Sequence, residues 1–414
     1  MKAIVYDFSV PKYVAAKGLG RYFPSLYYGK PSALKLKEVQ PPSLPGPRWI
    51  KVKPILAGIC GTDMGAIFYK SSPALTPFTS FPSILGHEVV GIVTATGPAV
   101  TRVKPGDRIA IDPFISCTVR EIDEPCPACQ AGLHCLCRHS GSSAGLAPGM
   151  IMGFCRDLPG AWAEAFVAHE SMAISVPDDL PDRLAVLIEP LSVGLHAVLR
   201  RPPQAGERVL VIGGGMMAFA VVAALRLLDI PCHVTHYCRR TFQKEMSLKL
   251  GTDKVVQNKK ELEEDLLTIP STGKYQPLIG PGVYTGGYDV VYDCVGTRQT
   301  LHDAIHVTRD RGQIVLVGAA GTVPALDWTF VWAKELSIHG SLGYGKEKWQ
   351  GEELSTHELL IRLLLQHPGY PLEDLVTHEF PLEAYQEAIK SNADRGAYQS
   401  VKTVFRIFDP SVPE

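Results

Sequence analysis

No apolar run in this sequence reaches the roughly 20 residues that a membrane-spanning helix needs. The nearest approach, residues 209–228, is interrupted by Gly213-Gly214-Gly215. There is no excess of either charge: 41 Lys and Arg stand against 42 Asp and Glu, for a formal net charge of −1. Without a long basic run there is no stripe on which a nucleic acid would lie. The first six residues lack the apolar core of a signal peptide, so a cytoplasmic location is the default. Neither nucleic acid nor membrane is expected as a partner. Ten cysteines would suit a disulfide framework, but several of them have metal-ligand spacing, which a reducing compartment would preserve as thiolates.

What the chain does carry is concentrated first in Gly58-Ile59-Cys60-Gly61-Thr62-Asp63 and Gly86-His87-Glu88-Val89-Val90-Gly91. Soft sulfur, an imidazole nitrogen and a carboxylate oxygen suit zinc better than calcium or magnesium. Asp63 is near enough to orient a ligand, and Thr62 places a hydroxyl beside the metal. Cys60 or His87 alone would read as a core residue. Together, in a frame of glycines that lets backbone come close, they read as a metal site.

A second group is Cys117, Cys126, Cys129, Cys135 and Cys137, in which Cys126-Pro127-Ala128-Cys129 can grip one ion from a tight turn. Further on, residues 208–212 form a buried-strand run. Gly213-Gly214-Gly215-Met216-Met217-Ala218 follows and opens an apolar helix, which is the dinucleotide fingerprint with Ala in its last position. The free amides of that helix start would hold a pyrophosphate. The next strand, 233–236, is not followed by the acid that would accept both ribose hydroxyls of NAD. Arg239 and Arg240 stand there instead and suit a 2′-phosphate, the bland alternative being two solvated arginines.

At these motifs the sequence resembles the zinc-dependent medium-chain dehydrogenase/reductase family, and the frame G-I-C-G-T-D…G-H-E-x-x-G is similar to that of its sorbitol and threonine dehydrogenase branches. The resemblance implies an α/β chain: a GroES-like, mainly-β catalytic domain from residues 1–190 and 345–414, with a structural-zinc lobe at 113–140, and a Rossmann doubly wound parallel sheet over 191–344. It implies two zinc ions per chain. The catalytic one falls to Cys60, His87 and a carboxylate, either Glu88 or Glu189; in Glu189-Pro190-Leu191 the polyol and sugar branches keep a Glu. The structural one falls to Cys117, Cys126, Cys129 and Cys137, with Cys135 as the alternative to Cys117 because residues 118–125 are longer than the family's link. Tyr237 takes the cofactor-selecting position, or Cys238 if the count is off by one. Val295, Gly296, Val317, Ser341 and Leu342 are expected beside the cofactor, in a cleft at the sheet's switch point.

The implied activity is hydride transfer between NADP(H), with NAD as the alternative, and an alcohol or polyol or the corresponding ketone or aldehyde. A sugar dehydrogenase of glucose type, an NAD-dependent threonine-type enzyme and a redox-inert binding protein on the same fold are the other readings. Thr62 would start the outward proton relay. The family often ends that relay at a His two positions beyond Asp63, where this chain has Gly65. A homodimer or homotetramer is implied, associating at the edge of the dinucleotide sheet near 312–318 and 335–342. Two stretches depart from the family: residues 7–33, aromatic-rich, read as a loop packed on the first lobe or a neighbouring subunit, with a lid as the functional alternative, and 270–287 reads as a polar, glycine-rich loop.

Overall fold

The computed structural model describes residues 1–319 and 321–410. It divides into two compact units, one made of Met1–Glu189 and the segment from Val376 onward, the other of Pro190–Leu375. The expected return at residue 345 therefore comes later, because residues 345–375 pack with the second unit.

The first unit is organised on the strand Trp49–Gly58. Its sheet runs Val376–Phe380, Lys402–Arg406, Trp49–Gly58, Val89–Thr96, Arg108–Ile111, Ala173–Ser175, and Phe166–His169 pairs with Trp49–Gly58 as well. Only the first pair is parallel. Pro54 has no N–H for the ladder, and the register slips between Pro54 and Leu56 where the sheet absorbs that loss. A second sheet of Leu34–Glu38, Lys2–Tyr6 and Ser83–Ile84 covers the same core. Trp162 is fully buried there and donates its indole N–H to the carbonyl of Gly58 at 2.9 Å, fixing the strand end that precedes Cys60.

Residues 7–33 are not a plain loop. They fold as the helix Val10–Leu19, with Pro11 in its first turn, and the short helix Ser25–Tyr28. Tyr13 meets Tyr69 edge-on at 5.2 Å, and Tyr27 lies 4.7 Å from Phe68. The insertion is thus held to the first unit by aromatic contacts with residues far along the chain.

The second unit is a six-stranded parallel sheet in the order Lys254–Val256, His233–Tyr237, Arg208–Ile212, Tyr288–Asp293, Thr308–Leu316, Ser337–Gly340. In chain order within the unit this is 3-2-1-4-5-6, the doubly wound arrangement. Ser337–Gly340 forms one edge of the sheet and Lys254–Val256 the other; Thr308–Leu316, expected near the edge, is paired on both sides. The stretch 270–287, expected as a loop, carries a hairpin of Gly273–Tyr275 with Val283–Thr285. Gly286 and Gly287, both at positive φ, turn the chain from it into the next strand. Among the described residues no helix is long and apolar enough to cross a membrane.

Candidate functional site

Cys60 leaves the end of the Trp49–Gly58 strand and precedes the helix Gly61–Ile67. Asp63, in the first turn of that helix, is fully buried. One of its oxygens accepts the backbone N–H of Cys60 at 2.9 Å, and the other lies 3.4 Å from Nδ1 of His87. A single carboxylate therefore fixes the thiol's backbone and the orientation of the imidazole, which is the job of a second shell around a metal. The Thr62 hydroxyl is 3.6 Å from the Cys60 sulfur. His87 is buried, and the Phe154 ring stands edge-on to it at 6.0 Å. Gly86 sits at φ +95°, and a Cβ there would run into the Trp162 indole, so the glycine before His87 is required on both counts.

Glu88 does not face the thiol and imidazole as a free carboxylate. It forms a buried ion pair with Lys402, whose Nζ also donates to the carbonyl of Ile59 at 3.2 Å. A Cβ on Gly58 would collide with the Glu88 carboxylate, so the glycine makes room for the pair. Of the two carboxylates left open by the sequence, Glu88 is thus committed to a cation. The Glu189 side chain is buried, and its carboxyl makes no hydrogen bond or ion pair among the described residues. Burial, then the neighbouring Glu88, push its carboxyl up to about 8. A thiol, an imidazole steadied by Asp63 and an unpartnered buried carboxyl are a donor set that fits zinc. Gly65 brings no side chain to the relay position, and its α-carbon faces the Ser71 hydroxyl, which lies 2.8 Å from where a Cβ would stand.

The second cysteine group closes tightly. The sulfurs of Cys117, Cys126, Cys129 and Cys137 all lie within 4.8 Å of one another, the only such group of potential ligands among the described residues. Cys60, His87 and the carboxylates are neighbours but are not gathered to that tightness. The Cys117 and Cys137 sulfurs are 3.7 Å apart. That is far from a disulfide and close to the roughly 3.8 Å separation implied by four Zn–S bonds of about 2.3 Å in a tetrahedron. Backbone N–H groups of Cys117, Cys126 and Arg138 donate to sulfurs of the group at 3.3–3.4 Å. Cys135 is buried but outside the group. Arg120, which the sequence did not single out, lies in the long link of 118–125 and is almost fully buried. Its guanidinium bonds backbone carbonyls of the 140–149 segment, including Leu146 and Gly149 at 2.9 and 2.8 Å.

In the second unit, Arg208–Ile212 leads to Gly213 at φ +137°, and Gly215 starts the helix Met216–Leu227. Ala218 packs inside this helix start and Met217 stays partly open. Tyr237 ends the neighbouring strand and is buried; Cys238 is also buried, its thiol pushed up to about 12 mainly by burial. Arg239 and Arg240 are exposed. Gln243 was missed by the sequence reading. Its Nε2 donates to the Gly214 carbonyl at 2.9 Å, and its Oε1 accepts the backbone N–H groups of both Arg239 and Arg240 at 3.2 Å. The buried Gln243 amide thereby ties the glycine turn to the strand end where the arginines stand. Backbone N–H groups of Val295 and Gly296 donate to Asp293 Oδ1 at 2.9 and 3.0 Å, shaping that strand end. Val317 is buried, Leu342 is half-exposed, and the Ser341 hydroxyl is buried with no partner among the described residues, an atom that a bound cofactor could satisfy.

Two family models match the chain, the alcohol dehydrogenase GroES-like domain over residues 46–178 and the zinc-binding dehydrogenase domain over 216–356. L-idonate 5-dehydrogenase of Vitis vinifera is 27% identical over 383 residues, covering 90% of this chain and 93% of its own. Sorbitol dehydrogenase of Macaca fascicularis is 29% identical over 373 residues, covering 89% and 92%. Among solved structures, a putative zinc-binding dehydrogenase from Sinorhizobium meliloti 1021 bound to NADP superposes with a TM-score of 0.70 at 26% identity, covering 90% of this chain and 96% of that one. With matches in both halves and along nearly its whole length, the chain belongs to the zinc-dependent medium-chain dehydrogenase/reductase family, in the sorbitol and threonine dehydrogenase branch, and is an enzyme acting on the CH–OH group of alcohols or polyols.

Proposed function

We propose that this enzyme interconverts an alcohol or polyol with the corresponding ketone or aldehyde, using NADP(H) and two zinc ions per chain. Cys60, His87 and Glu189 would hold the catalytic ion; Cys117, Cys126, Cys129 and Cys137 would hold the structural one. A catalytic zinc supplies a Lewis acid that makes a hydroxyl easier to ionise. The chain's own residues do the rest. Asp63 keeps the imidazole of His87 in one orientation. Glu88 and Lys402 neutralise one another, so that Glu189 is the one carboxylate offered. The Thr62 hydroxyl takes the substrate's proton and passes it outward to water, since Gly65 leaves no side chain to receive it. Gly213, Gly215 and the amides of Met216, Met217 and Ala218 would receive the pyrophosphate. Val295, Gly296, Val317, Ser341 and Leu342 would line the rest of the cofactor site. Assembly would be as a homodimer or homotetramer in the cytoplasm.

The observation that carries the choice of NADP is the strand end at Tyr237. No carboxylate follows it, and two exposed guanidiniums do. The solved relative bound to NADP supports the same choice. Initial-rate kinetics with NADP and NAD over a panel of polyols, secondary alcohols and sugars tests the proposal. Higher efficiency with NADP on at least one polyol or secondary alcohol is the expected result; equal efficiency with both cofactors would refute the NADP assignment, and turnover confined to sugars would move the substrate class.

A further inference from the structure

The stretch 7–33 has two unlike faces. Ala16 is buried, and Tyr13 and Tyr27 are turned inward onto Tyr69 and Phe68. The other face is apolar and open. Val10, Val14, Leu19, Tyr22 and Phe23 are between 52% and 72% exposed, while Phe8, 41% exposed, lies against the inward rings of Tyr13 and Tyr69. Six of the eighteen large apolar side chains exposed among the described residues thus fall within residues 8–23. Such clustering on a folded surface marks a place where something binds.

The same stretch is strongly basic, whereas the rest of the chain carries more Asp and Glu than Lys and Arg. Between Asp7 and Glu38 there is no acidic residue, while Lys12, Lys17, Arg21, Lys30, Lys35 and Lys37 give six positive charges. Lys17, Arg21, Lys30 and Lys37 are exposed. Lys12 is occupied only by the backbone carbonyl of Asp7, at 3.4 Å.

We propose that this insertion is a docking surface for a membrane leaflet that carries anionic headgroups. Open apolar side chains interleaved with cations along a short helix and the turn that follows it are what an anionic bilayer interface accommodates, the apolar groups entering the acyl boundary and the cations meeting the headgroups. A second copy docking through the same stretch would set like charges against one another, which disfavours it. A soluble polyanion would meet the charge but leave the apolar side chains in water. The enzyme would lie on the membrane, not across it, and this site is independent of the dehydrogenase assignment.

The test is co-sedimentation of the full-length enzyme with vesicles of phosphatidylserine and phosphatidylcholine, against vesicles of phosphatidylcholine alone. Binding to the first and not the second, weakening as salt is added, is expected. The double substitution Lys17→Glu with Arg21→Glu should weaken binding by about 25-fold or more, at roughly fivefold per cation lost. Val14→Ser with Phe23→Ser should weaken it as well. Both variants should keep the parent's melting temperature and turnover. Absence of binding to the anionic vesicles, or binding that neither variant alters, overturns the proposal. So does a rise in KM in the variants, which would make the insertion a lid, or loss of self-association in light scattering, which would make it a subunit contact.

Discussion

Lys402 and Glu88 form an ion pair in which the side chains are 2% and 1% exposed, and Lys402 also holds the carbonyl of Ile59 next to Cys60. One partner comes from the strand that closes the first unit and the other from the residue after His87. Replacing Lys402 with Met should leave a buried carboxylate uncompensated and destabilise the protein by about 3–5 kcal/mol. The double variant Lys402→Met with Glu88→Gln should recover much of that loss. Urea unfolding of the two variants checks this; equal destabilisation would mean that Lys402 acts through packing alone.

Metal content separates the two cysteine sites. The parent should hold two zinc ions per chain by elemental analysis. Cys129→Ser should retain about one and melt lower, because a closed thiolate site contributes directly to folding. Cys60→Ser should lose turnover with a much smaller change in melting temperature. Retention of both ions by the Cys129 variant would contradict the assignment.

A third expectation concerns pH. His236 lies at the end of the second strand of the nucleotide sheet, fully buried, with Nε2 donating to the Gly213 carbonyl at 2.6 Å and Nδ1 2.7 Å from the Ser247 hydroxyl. Burial lowers its pKa from 6.5 to about 4, against the opposing effect of the Gly213 carbonyl. Between those values the unfolded chain binds the extra proton and the folded one does not. Stability should therefore be fully present above about pH 6.5 and fall as pH drops toward 4, by about 3 kcal/mol for this group. The pH dependence of urea unfolding should be shallower over that window in His236→Gln. An identical slope would show that other groups dominate.

Legibility in the sequence followed the distance over which each feature is set. Cys60, Thr62 and Asp63 lie in one turn, and the glycine fingerprint marks its own strand-turn-helix, so both could be read from local spacing. The commitment of Glu88 could not, because Lys402 is reached only after the whole second unit has been built. Residues 7–33 hid their helix for a related reason. Pro11, Gly18 and Gly20 weaken the local signal, and the contacts that hold the helix come from Phe68 and Tyr69. The hairpin at 273–285 has strands of three residues, too short for alternation to show. Gln243 gave no signal at all, since its partners are backbone groups of the glycine turn and of the arginines.

The sharpest expectation concerns those arginines. Arg239 and Arg240 follow the strand that ends at Tyr237, and their backbone is pinned to the glycine turn through Gln243 while their side chains are exposed. A carboxylate at this place would repel a 2′-phosphate; a guanidinium pairs with it through charge-assisted hydrogen bonds worth roughly 1.5–3 kcal/mol each. One such contact corresponds to about tenfold to a hundredfold in affinity, at roughly 1.4 kcal/mol per decade. Arg239→Ala with Arg240→Ala should therefore raise the KM for NADP by that factor and leave the KM for NAD almost unchanged. Because neither guanidinium is buried, the double variant should unfold at the parent's urea midpoint, so a kinetic change cannot be blamed on stability. If both side chains serve only solvent, and Tyr237 merely packs against the adenine, the variant will use the two cofactors just as the parent does.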